Sequence, residues 1–410
     1  MNPTVFLPAD EVYSLSETYA HNCCCGMCGS QDRTDFFAVR NLPAHVCLLG
    51  TTPTEARQTT RGDILLSFCH ACGLISNRAF DPERLRFEPE YEASLAYSTT
   101  FTSFLQQLAE RLIEKYQLRN KHIVEVGCGD GFFLRLLCEL GANHGVGFDT
   151  SVPSQIHEPA GSGSVRLIRE YYTEKHAAVP CDFLCCLSVM EDLINPLEFV
   201  HSLRQIVGER NVTGYFEVFN AMRAFEAEET WSVHYEQCNY FSQDAFTRLF
   251  RSGGFEVLQS GTCYAQDQYL YVETATTERP AKVRPTSPER LALPPAIERF
   301  ARCHQDKLAY WNDKLEQSAG DNRRAVVWGT GGKGVSFLNM LPSYETIEYV
   351  VDINPRRQGR FIPGSGQQIV APEALIDYRP DLVILSNAVY EQEICAQLAA
   401  MNLRCDVEVM

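Results

Sequence analysis

The chain has 410 residues, which exceeds the size at which one hydrophobic core stops growing, so two or three domains are expected. A composition of 45% apolar and 21% charged residues is that of an ordinary soluble globular protein. The net charge of −16 argues against a nucleic-acid partner, because binding to phosphate backbones depends on clustered Lys and Arg.

The sequence also argues against a membrane partner and against export. No apolar run is long enough to cross a bilayer, and the first residues, MNPTVFLPADEVYSL, lack the basic start and apolar core of a signal peptide. Most of the seventeen cysteines are scattered singly, which is not the pattern of a disulfide framework. We therefore expect a cytoplasmic protein.

Two cysteine pairs near the N-terminus have metal-ligand spacing. The stretches CGMCG and CHACG each place two thiolates beside a glycine, and together Cys25, Cys28, Cys69 and Cys72 supply the four sulfurs of a structural zinc site. The segment between the pairs reads as short strands with little core, so metal binding would add folding energy. Redox-active or incidental pairs are the alternative. Cys23 and Cys24 leave open which cysteines form the first pair, and His70 is a competing ligand.

The pattern changes at Tyr91. The stretch TSFLQQLAERLIEKYQL repeats apolar residues at helical spacing, and after it strands alternate with helices: HIVEVGCGDG, FFLRLLCELGA and HGVGFDTS, then VRLIREYY, CDFLCCLSV and VTGYFEVFN. This alternation predicts a parallel, doubly wound α/β sheet. We therefore predict a zinc-binding domain over residues 1–90 and an α/β domain over residues 91–284.

A proline-rich polar stretch, TTERPAKVRPTSPERLALPPA, follows and reads as a linker. The strand–turn–helix pattern then restarts with RRAVVWGTGGKGVSFLNML, IEYVVDINP and PEALIDYRPDLVILSN. A second α/β domain over residues 285–410 is the simplest explanation of this internal similarity.

The first glycine turn, VEVGCGDGFFL, has the pattern of a nucleotide-like binding site. Gly127, Gly129 and Gly131 allow a ligand to approach the backbone at a helix N-terminus, and Asp149 ends the next strand, where it would accept hydrogen bonds from ribose hydroxyls. Both NAD and S-adenosylmethionine (SAM) fit these features. The acids Glu125 and Asp130 favour SAM, because they would repel a pyrophosphate but attract a sulfonium and an ammonium group.

The second glycine turn, GTGGKG, matches the dinucleotide fingerprint more literally. Gly329, Gly331 and Gly334 have the required spacing, and Asp352 follows at about the expected interval. By itself this turn would indicate an NAD-dependent oxidoreductase, which is the alternative function. No dehydrogenase constellation accompanies it.

The order of these features resembles a known family. Two CxxCG pairs, a SAM-type turn, and then WGTGGKG with VVDINPRRQGRFIPGSG resemble, over nearly the whole chain, the three-domain SAM-dependent methyltransferases that include the deoxysugar C-methyltransferases. The resemblance implies a small zinc-binding domain, a central class I methyltransferase domain and a C-terminal Rossmann-like domain that positions the substrate and carries no NAD. It also implies a small-molecule acceptor, such as a nucleotide sugar, and leaves a monomer or a homodimer open.

The same resemblance assigns site residues. The donor would contact Glu125, Gly127, Gly129, Gly131, Asp149, Glu170 and Ser188. Lys333 and Arg360 are candidates for an anionic part of the acceptor, although each is equally well explained as a solvated surface cation.

The sequence departs from this family where relatives carry histidine signatures. Signatures like HVLEH and YHEH are here SVMEDL and HYEQCNYF, so that the expected histidines are Asp192 and Gln237. Glutamine does not take up a proton at neutral pH, and we expect His234 and Glu236, two residues apart in an extended segment, to act as base and orienter. The candidate catalytic residues are His234, Tyr235, Glu236 and Gln237, with Tyr91, Tyr97 and Tyr240 as candidate pocket residues. Loss of activity, an acceptor that needs no base, and an acceptor that reacts through nitrogen or oxygen are the alternatives.

Overall fold

The computed structural model describes residues 9–152, 155–276 and 290–410. Most of the predicted linker and the boundary at residues 284–285 lie outside the described residues. Three sheets organise the chain, and we refer to them with their helices as the N-terminal, central and C-terminal units. No helix in the described ranges is long and apolar enough to cross a membrane.

The N-terminal unit is built on a four-stranded antiparallel sheet in the order β1-β2-β3-β10. Its elements are α1 (Ala9–Thr18), β1 (Arg33–Pro43), α2 (Pro53–Arg57), β2 (Arg61–Cys69), β3 (Ile75–Asn77) and β10 (Asn239–Tyr240). The fourth strand, β10, comes from a much later part of the chain than the other three. The N-terminal sheet therefore includes a segment that sequence analysis assigns to the central domain.

The central unit has an eight-stranded sheet in the order β11-β12-β9-β8-β4-β5-β7-β6, in which β9, β8, β4, β5 and β7 run parallel. Its elements are α3 (Thr99–Tyr116), β4 (His122–Val126), α4 (Phe132–Gly141), β5 (His144–Phe148), β6 (Ile156–Ala160), β7 (Gly163–Ile168), β8 (Phe183–Leu187), α5 (Pro196–Val207), β9 (Thr213–Phe219), α6 (Ala221–Glu226), α7 (Gln243–Ser252), β11 (Phe255–Cys263) and β12 (Tyr269–Thr276). The predicted doubly wound sheet is confirmed, with antiparallel strands at both edges.

The helix that leads into this sheet begins and ends as its sequence dictates. The Ser98 side chain accepts a hydrogen bond from the backbone N–H of Phe101, and Gln117 ends the helix in a left-handed conformation. Along α3, Leu105, Leu108 and Leu112 are buried on one face. Through this buried face, α3 packs against α4.

The C-terminal unit has a five-stranded parallel sheet in the order β15-β14-β13-β16-β17. Its elements are α8 (Pro295–Gly320), β13 (Ala325–Trp328), α9 (Gly332–Met340), β14 (Ile347–Val351), β15 (Gln368–Val370), α10 (Leu375–Tyr378), β16 (Leu382–Leu385), α11 (Glu391–Ala400) and β17 (Asp406–Val409). The predicted second α/β domain is thus confirmed as a fold class.

Buried aromatic rings join the three units. Phe300 of α8 contacts Phe37 of β1, with 5.2 Å between ring centroids, and Phe225 of α6, with 4.6 Å. Trp231 contacts Phe337 of α9 at 5.0 Å. Because aromatic pairs at these distances lie in close van der Waals contact, the second glycine turn is held against the central unit.

Candidate functional site

The first glycine turn lies between β4 and α4, at the carboxyl end of the parallel strands. Gly127 and Gly131 have φ values of +73° and +80°, which favour glycine. A Cβ atom on Gly127 would lie 2.2 Å from Cγ2 of Val189, so any larger residue would collide with the segment after β8. The turn therefore brings the backbone of residues 127–131 close to the residues that follow β8.

Asp149 holds the first turn in place. It follows β5, and its carboxylate accepts hydrogen bonds from the backbone N–H of Gly129, at 2.9 Å, and from the Ser151 N–H and hydroxyl, both at 2.7 Å. All of its hydrogen bonds in the described chain come from neutral groups. No ion pair ties the carboxylate down among these residues, at the position where a ribose is expected.

Glu125 and Ser188 lie at the carboxyl ends of β4 and β8, the same end of the sheet as the first turn. Glu125 is the second-last residue of β4, with 3% of its surface exposed, and burial together with the nearby Asp149 raises the pKa of its carboxyl well above the usual value. Its Oε2 atom has no hydrogen-bond partner among the described residues. Ser188 directly follows β8 and has a φ of +53°.

Glu170 lies at the rim rather than in the interior. Its carboxylate forms ion pairs with Lys175, at 2.6 Å, and with His176, at 3.1 Å. Hydrogen bonds from these two side chains hold the pKa of Glu170 below its usual value. A ligand at this edge would meet a charge that is already partly neutralised.

A single large cavity connects the two glycine turns. Its volume is about 1650 Å³, and its walls include both turns, the segment after β8, and Tyr91 and Tyr97 from the N-terminal side. Sites for one drug-sized ligand usually measure about 300–1,000 Å³. The cavity therefore has room for two ligands, one at each turn.

The second glycine turn differs from the first in its electrostatics. Asp352 accepts hydrogen bonds from the backbone N–H and hydroxyl of Thr330, and it forms an ion pair of 3.3 Å with Arg357, which is 3% exposed. Arg357 also donates to Thr330 Oγ1 at 2.7 Å. The acid that would bind the ribose of a dinucleotide is thus neutralised by a buried guanidinium.

Three cations near the second turn differ in their availability. Lys333 lines the cavity, but its ammonium pairs with Glu229 at 2.6 Å. Arg360 is exposed and lies outside the cavity wall. Arg356, which sequence analysis did not single out, lines the cavity with a side chain that is 55% exposed and with long ion pairs to Glu92, at 3.4 Å, and Asp130, at 3.9 Å.

The two segments that depart from the histidine signatures pack against each other. The backbone N–H of Cys238 donates to the carbonyl of Glu191 at 2.8 Å, and Asn239 Nδ2 donates to the carbonyl of Met190 at 3.2 Å. Asp192 and Gln237, which replace the family's histidines, both line the cavity. The structure therefore brings the two replaced positions to one wall.

His234 also lines the cavity and contacts the second turn. A Cβ atom on Gly332 would lie 2.9 Å from both Nδ1 and Cε1 of the imidazole. The Nδ1 atom has no hydrogen-bond partner in the described ranges. Burial lowers the pKa of His234 and the charge of Glu236 opposes this shift, so the imidazole is neutral at physiological pH.

The residues beside His234 point in other directions. The Tyr235 hydroxyl accepts a hydrogen bond from the backbone N–H of Asp81 at 2.8 Å, and its ring stacks on Phe80. Glu236 accepts a hydrogen bond from the backbone N–H of Val46 at 2.7 Å and lies 3.8 Å from His45. Tyr235 and Glu236 are absent from the cavity wall, whereas Gln237 lies on it.

Tyr240 is buried behind the same segment, where its hydroxyl donates to the carbonyl of His234 at 3.2 Å. It is not part of the cavity wall, unlike Tyr91 and Tyr97. Tyr240 therefore supports the backbone that carries His234.

Comparisons with known proteins agree with this geometry. Residues 98–260 match the model of a methyltransferase domain, and residues 295–405 match the model of the C-methyltransferase C-terminal domain. The curated C-methyltransferase NovU of Streptomyces niveus is 24% identical over 392 residues, which cover 90% of each chain. The chain is a SAM-dependent methyltransferase.

Solved structures give only distant likenesses. The magnesium protoporphyrin IX methyltransferase of Synechocystis PCC 6803 is 12% identical, with a TM-score of 0.33, and covers 43% of this chain and 84% of that chain. A SAM-dependent methyltransferase from Aquifex aeolicus is 13% identical, with a TM-score of 0.30, over 43% of this chain and 98% of that chain.

Sequence analysis missed an acidic wall of this methyltransferase cavity. Glu191, Asp192 and Glu217 all line the cavity. Burial raises the pKa of Glu191 and of Glu217 to about 7, and it raises that of Asp192 well above its usual value. The only sequence signal was a carboxylate in the otherwise apolar strand GYFEVF, and nothing in the sequence shows that β9 brings Glu217 beside Glu191.

The four predicted zinc ligands of the methyltransferase form a compact cluster. The sulfurs of Cys25, Cys28, Cys69 and Cys72 all lie within 4.8 Å of one another, and Cys25–Cys72 and Cys28–Cys69 are both 3.6 Å apart. Tetrahedral zinc with Zn–S bonds of about 2.3 Å places its sulfurs about 3.8 Å apart. The donor set therefore fits a closed zinc site.

The neighbours of the cluster do not compete with it. The imidazole of His70 is engaged by Thr34 Oγ1 and by the carbonyl of Leu291, each at 2.7 Å. Cys23 and Cys24 lie 3.8 Å from each other and outside the cluster. A Cβ atom on Gly26 would lie 2.2 Å from the carbonyl oxygen of Ile194, so the first cysteine pair packs against the segment after β8.

Proposed function

We propose that this methyltransferase transfers the methyl group of SAM to a carbon atom of a small acceptor that carries an anionic, nucleotide-like part. The main support is the single cavity of about 1650 Å³ that connects the first turn with the second. The match to a C-methyltransferase C-terminal domain over residues 295–405 supports transfer to carbon. A nucleotide sugar is the acceptor class that the family resemblance favours.

In this proposal the donor occupies the first turn. Gly127 and Gly129 provide close backbone approach, Asp149 binds the ribose, and Glu125 faces the charged end of the methionine part. Gly131 lies off the cavity wall, packed towards Leu167. Ser188 contributes at the end of β8, and Glu170 lies where the adenine would reach the rim. When bound, SAM supplies an electrophilic methyl group.

The acceptor's anionic part would lie nearer the second turn. Arg356 is the best-placed cation there, since its guanidinium is half exposed and its ion pairs are long. Lys333 would contribute only if its pair with Glu229 opened. A diphosphate would gain charge-assisted hydrogen bonds from Arg356 that a neutral acceptor would not.

Methylation of a carbon beside a carbonyl group requires removal of a proton. We propose that His234 accepts this proton, because its imidazole lines the cavity and is neutral. Glu236 would act through its charge, since it lies outside the cavity wall and is held by Val46. We assign Tyr235 to fixing the segment that carries His234, and Gln237 to shaping the cavity wall.

We also propose that the four-cysteine cluster binds one structural zinc ion. Cys25, Cys28, Cys69 and Cys72 would fill all four positions, which leaves none for chemistry. Through the contact of Gly26 with Ile194, the metal would stabilise the segment that carries Glu191 and Asp192.

A methyl-transfer assay tests the proposed function. The purified protein is incubated with SAM carrying a ¹³C-labelled methyl group and with a panel of nucleoside-diphosphate ketosugars, and the products are analysed by NMR. We expect a new methyl signal coupled to a carbon of the sugar ring. A methyl group attached to oxygen or nitrogen would contradict transfer to carbon, and transfer only to acceptors without a phosphate would contradict the anionic part.

A further inference from the structure

The acidic wall, which we define as Glu191, Asp192 and Glu217, lies where strands β8 and β9 end. Glu191 is 7% exposed and Glu217 is 2% exposed, yet both border the cavity. Glu191 Oε1 accepts a long hydrogen bond of 3.3 Å from the backbone N–H of Phe219, and its Oε2 atom has no partner among the described residues. A buried carboxyl oxygen without a partner is costly, so it points to a missing ligand.

Within the described chain, the cavity's own cations do not neutralise this wall. Each lysine and arginine on the cavity surface forms its ion pair with an acid that is not part of the acidic wall. The pairs are Arg135 with Glu158, Lys175 with Glu170, Lys333 with Glu229, Arg356 with Glu92 and Asp130, and Arg357 with Asp352. Arg111 lowers the pKa of Glu217 somewhat, but its guanidinium forms its ion pair with Glu273.

The acidic wall adjoins the first turn. Val189, two residues before Glu191, touches Gly127 of that turn. Glu191 of the wall and the acids beside the first turn, Glu125 and Asp149, all lie close enough to the Cys186 thiol of β8 to raise its pKa, although burial contributes most to that shift. The wall thus faces the part of the cavity that receives the donor.

From this placement we infer that Glu191, Asp192 and Glu217 bind the positively charged sulfonium of SAM and make the protein prefer SAM to its product S-adenosylhomocysteine (SAH). SAM and SAH differ only in the transferred methyl group and in the charge on sulfur. When the methyl group leaves, the sulfur keeps the bonding electrons and becomes neutral, so the attraction to the wall disappears. The inference rests on the donor and is independent of the proposed acceptor.

Isothermal titration calorimetry with SAM and SAH tests the inference on the full-length zinc-bound protein. We expect Glu191→Gln to weaken SAM binding about tenfold, as loss of a close charge pair in a buried site does, and to change SAH binding less than about threefold. Sinefungin, which carries an ammonium group in place of the sulfonium, should follow SAM. Glu256→Gln, an exposed change on β11, serves as the matched control and should leave both affinities unchanged.

Two further variants keep the test independent of folding. Glu217→Gln should lower the ratio of SAM affinity to SAH affinity in the same direction, and Glu191→Asp, which retains the charge, should restore most of that ratio. Equal weakening of SAM and SAH, or an unchanged ratio in both glutamine variants, would overturn the inference. Failure of the proposed acceptor chemistry would appear only in the methyl-transfer assay, so the two failures are distinguishable.

Discussion

The imidazole of His234 packs against Gly332, so that a residue of the central unit is held in place by the second glycine turn. A Cβ atom at position 332 would lie 2.9 Å from Nδ1, a buried ring nitrogen that has no hydrogen-bond partner in the described ranges. The absence of a side chain at Gly332 therefore leaves the space that this nitrogen occupies. The second glycine turn thus makes room for the His234 imidazole as well as for a bound ligand.

We predict that Gly332→Ala displaces the His234 imidazole and lowers the rate of methyl transfer by about tenfold or more, because a small misplacement of a base is costly. SAM binding should be unaffected. The imidazole shifts in NMR spectra report the displacement directly. Gly331→Ala is the control for that measurement, since no heavy atom lies within 4 Å of a Cβ atom there. Identical imidazole spectra for both variants would refute the prediction.

We predict that His234→Ala lowers kcat by about 100-fold or more, because general-base catalysis contributes on the order of 10²–10⁴. The Kd for SAM should change less than about twofold. Steady-state kinetics with an acceptor found in the methyl-transfer assay, together with calorimetry, separate the two effects. Unchanged turnover in His234→Ala would remove the imidazole from the mechanism.

The replaced histidine at position 237 allows a complementary experiment. Gln237→His restores the family's residue on the cavity wall, and we predict that it raises or creates transfer to ketosugars that the natural protein uses poorly. Rates for a panel of such sugars, compared between Gln237→His and Gln237→Asn, measure the effect. Equal rates in the two variants would show that position 237 does not select the acceptor.

We predict one zinc ion per chain, which elemental analysis of freshly purified protein will measure. Cys69→Ser should abolish zinc binding and lower the melting temperature, because structural zinc contributes up to on the order of 10 kcal/mol to folding. It should also weaken SAM binding, since the first cysteine pair packs against Ile194. Cys24→Ser, an exposed cysteine outside the cluster, is the control. Full zinc content in Cys69→Ser would be the contrary result.

The preference for SAM over SAH should depend on pH. The pKa values of Glu191 and Glu217 are raised to about 7, so both carboxyls are neutral well below this value and charged well above it. The attraction to a sulfonium is therefore weak at low pH and strengthens as the pH rises through 7. The charge of Glu217 acts on Glu191, and Tyr215, Cys263 and Arg111 act on Glu217. Asp192, which the charges of Glu191 and Glu236 influence, completes the titratable groups around them.

Calorimetry with SAM and SAH across this pH range measures the ratio of the two affinities. That ratio isolates the sulfonium, because the amino and carboxyl groups are common to both ligands. In the triple variant Glu191→Gln/Asp192→Asn/Glu217→Gln the ratio should no longer change with pH. A ratio that is flat in the natural protein, or one that falls as pH rises, would be inconsistent with binding by these carboxylates.

Much of the donor half of the site follows from the sequence, because its signals are local. Gly127, Gly131 and Asp149 lie close together in the chain, and a strand, a turn and a helix in order define their positions. The cysteine pairs are predictable for the same reason. Periodicity likewise predicts which face of α3 is buried.

The rest of the site depends on contacts between distant segments. An extended segment would put His234 and Glu236 on one face, but the chain bends at Tyr235 and Glu236, so His234 lines the cavity and Glu236 is held by Val46 instead. The neutralisation of Asp352 by Arg357 requires the loop after β14 to fold back. Glu217 meets Glu191 only through the pairing of β8 with β9.

The strand β10 has a consequence for how the protein is made. The first three strands of the N-terminal sheet leave the ribosome early, but Asn239 and Tyr240, which pair with Ser76 and Ile75, are translated only after most of the central sheet. Until then the edge of β3 offers unpaired backbone groups, which favour association with other chains. We therefore expect nascent chains that end before Asn239 to need chaperone protection, and the N-terminal sheet to close only after the segment that carries His234 and Gln237 has been made.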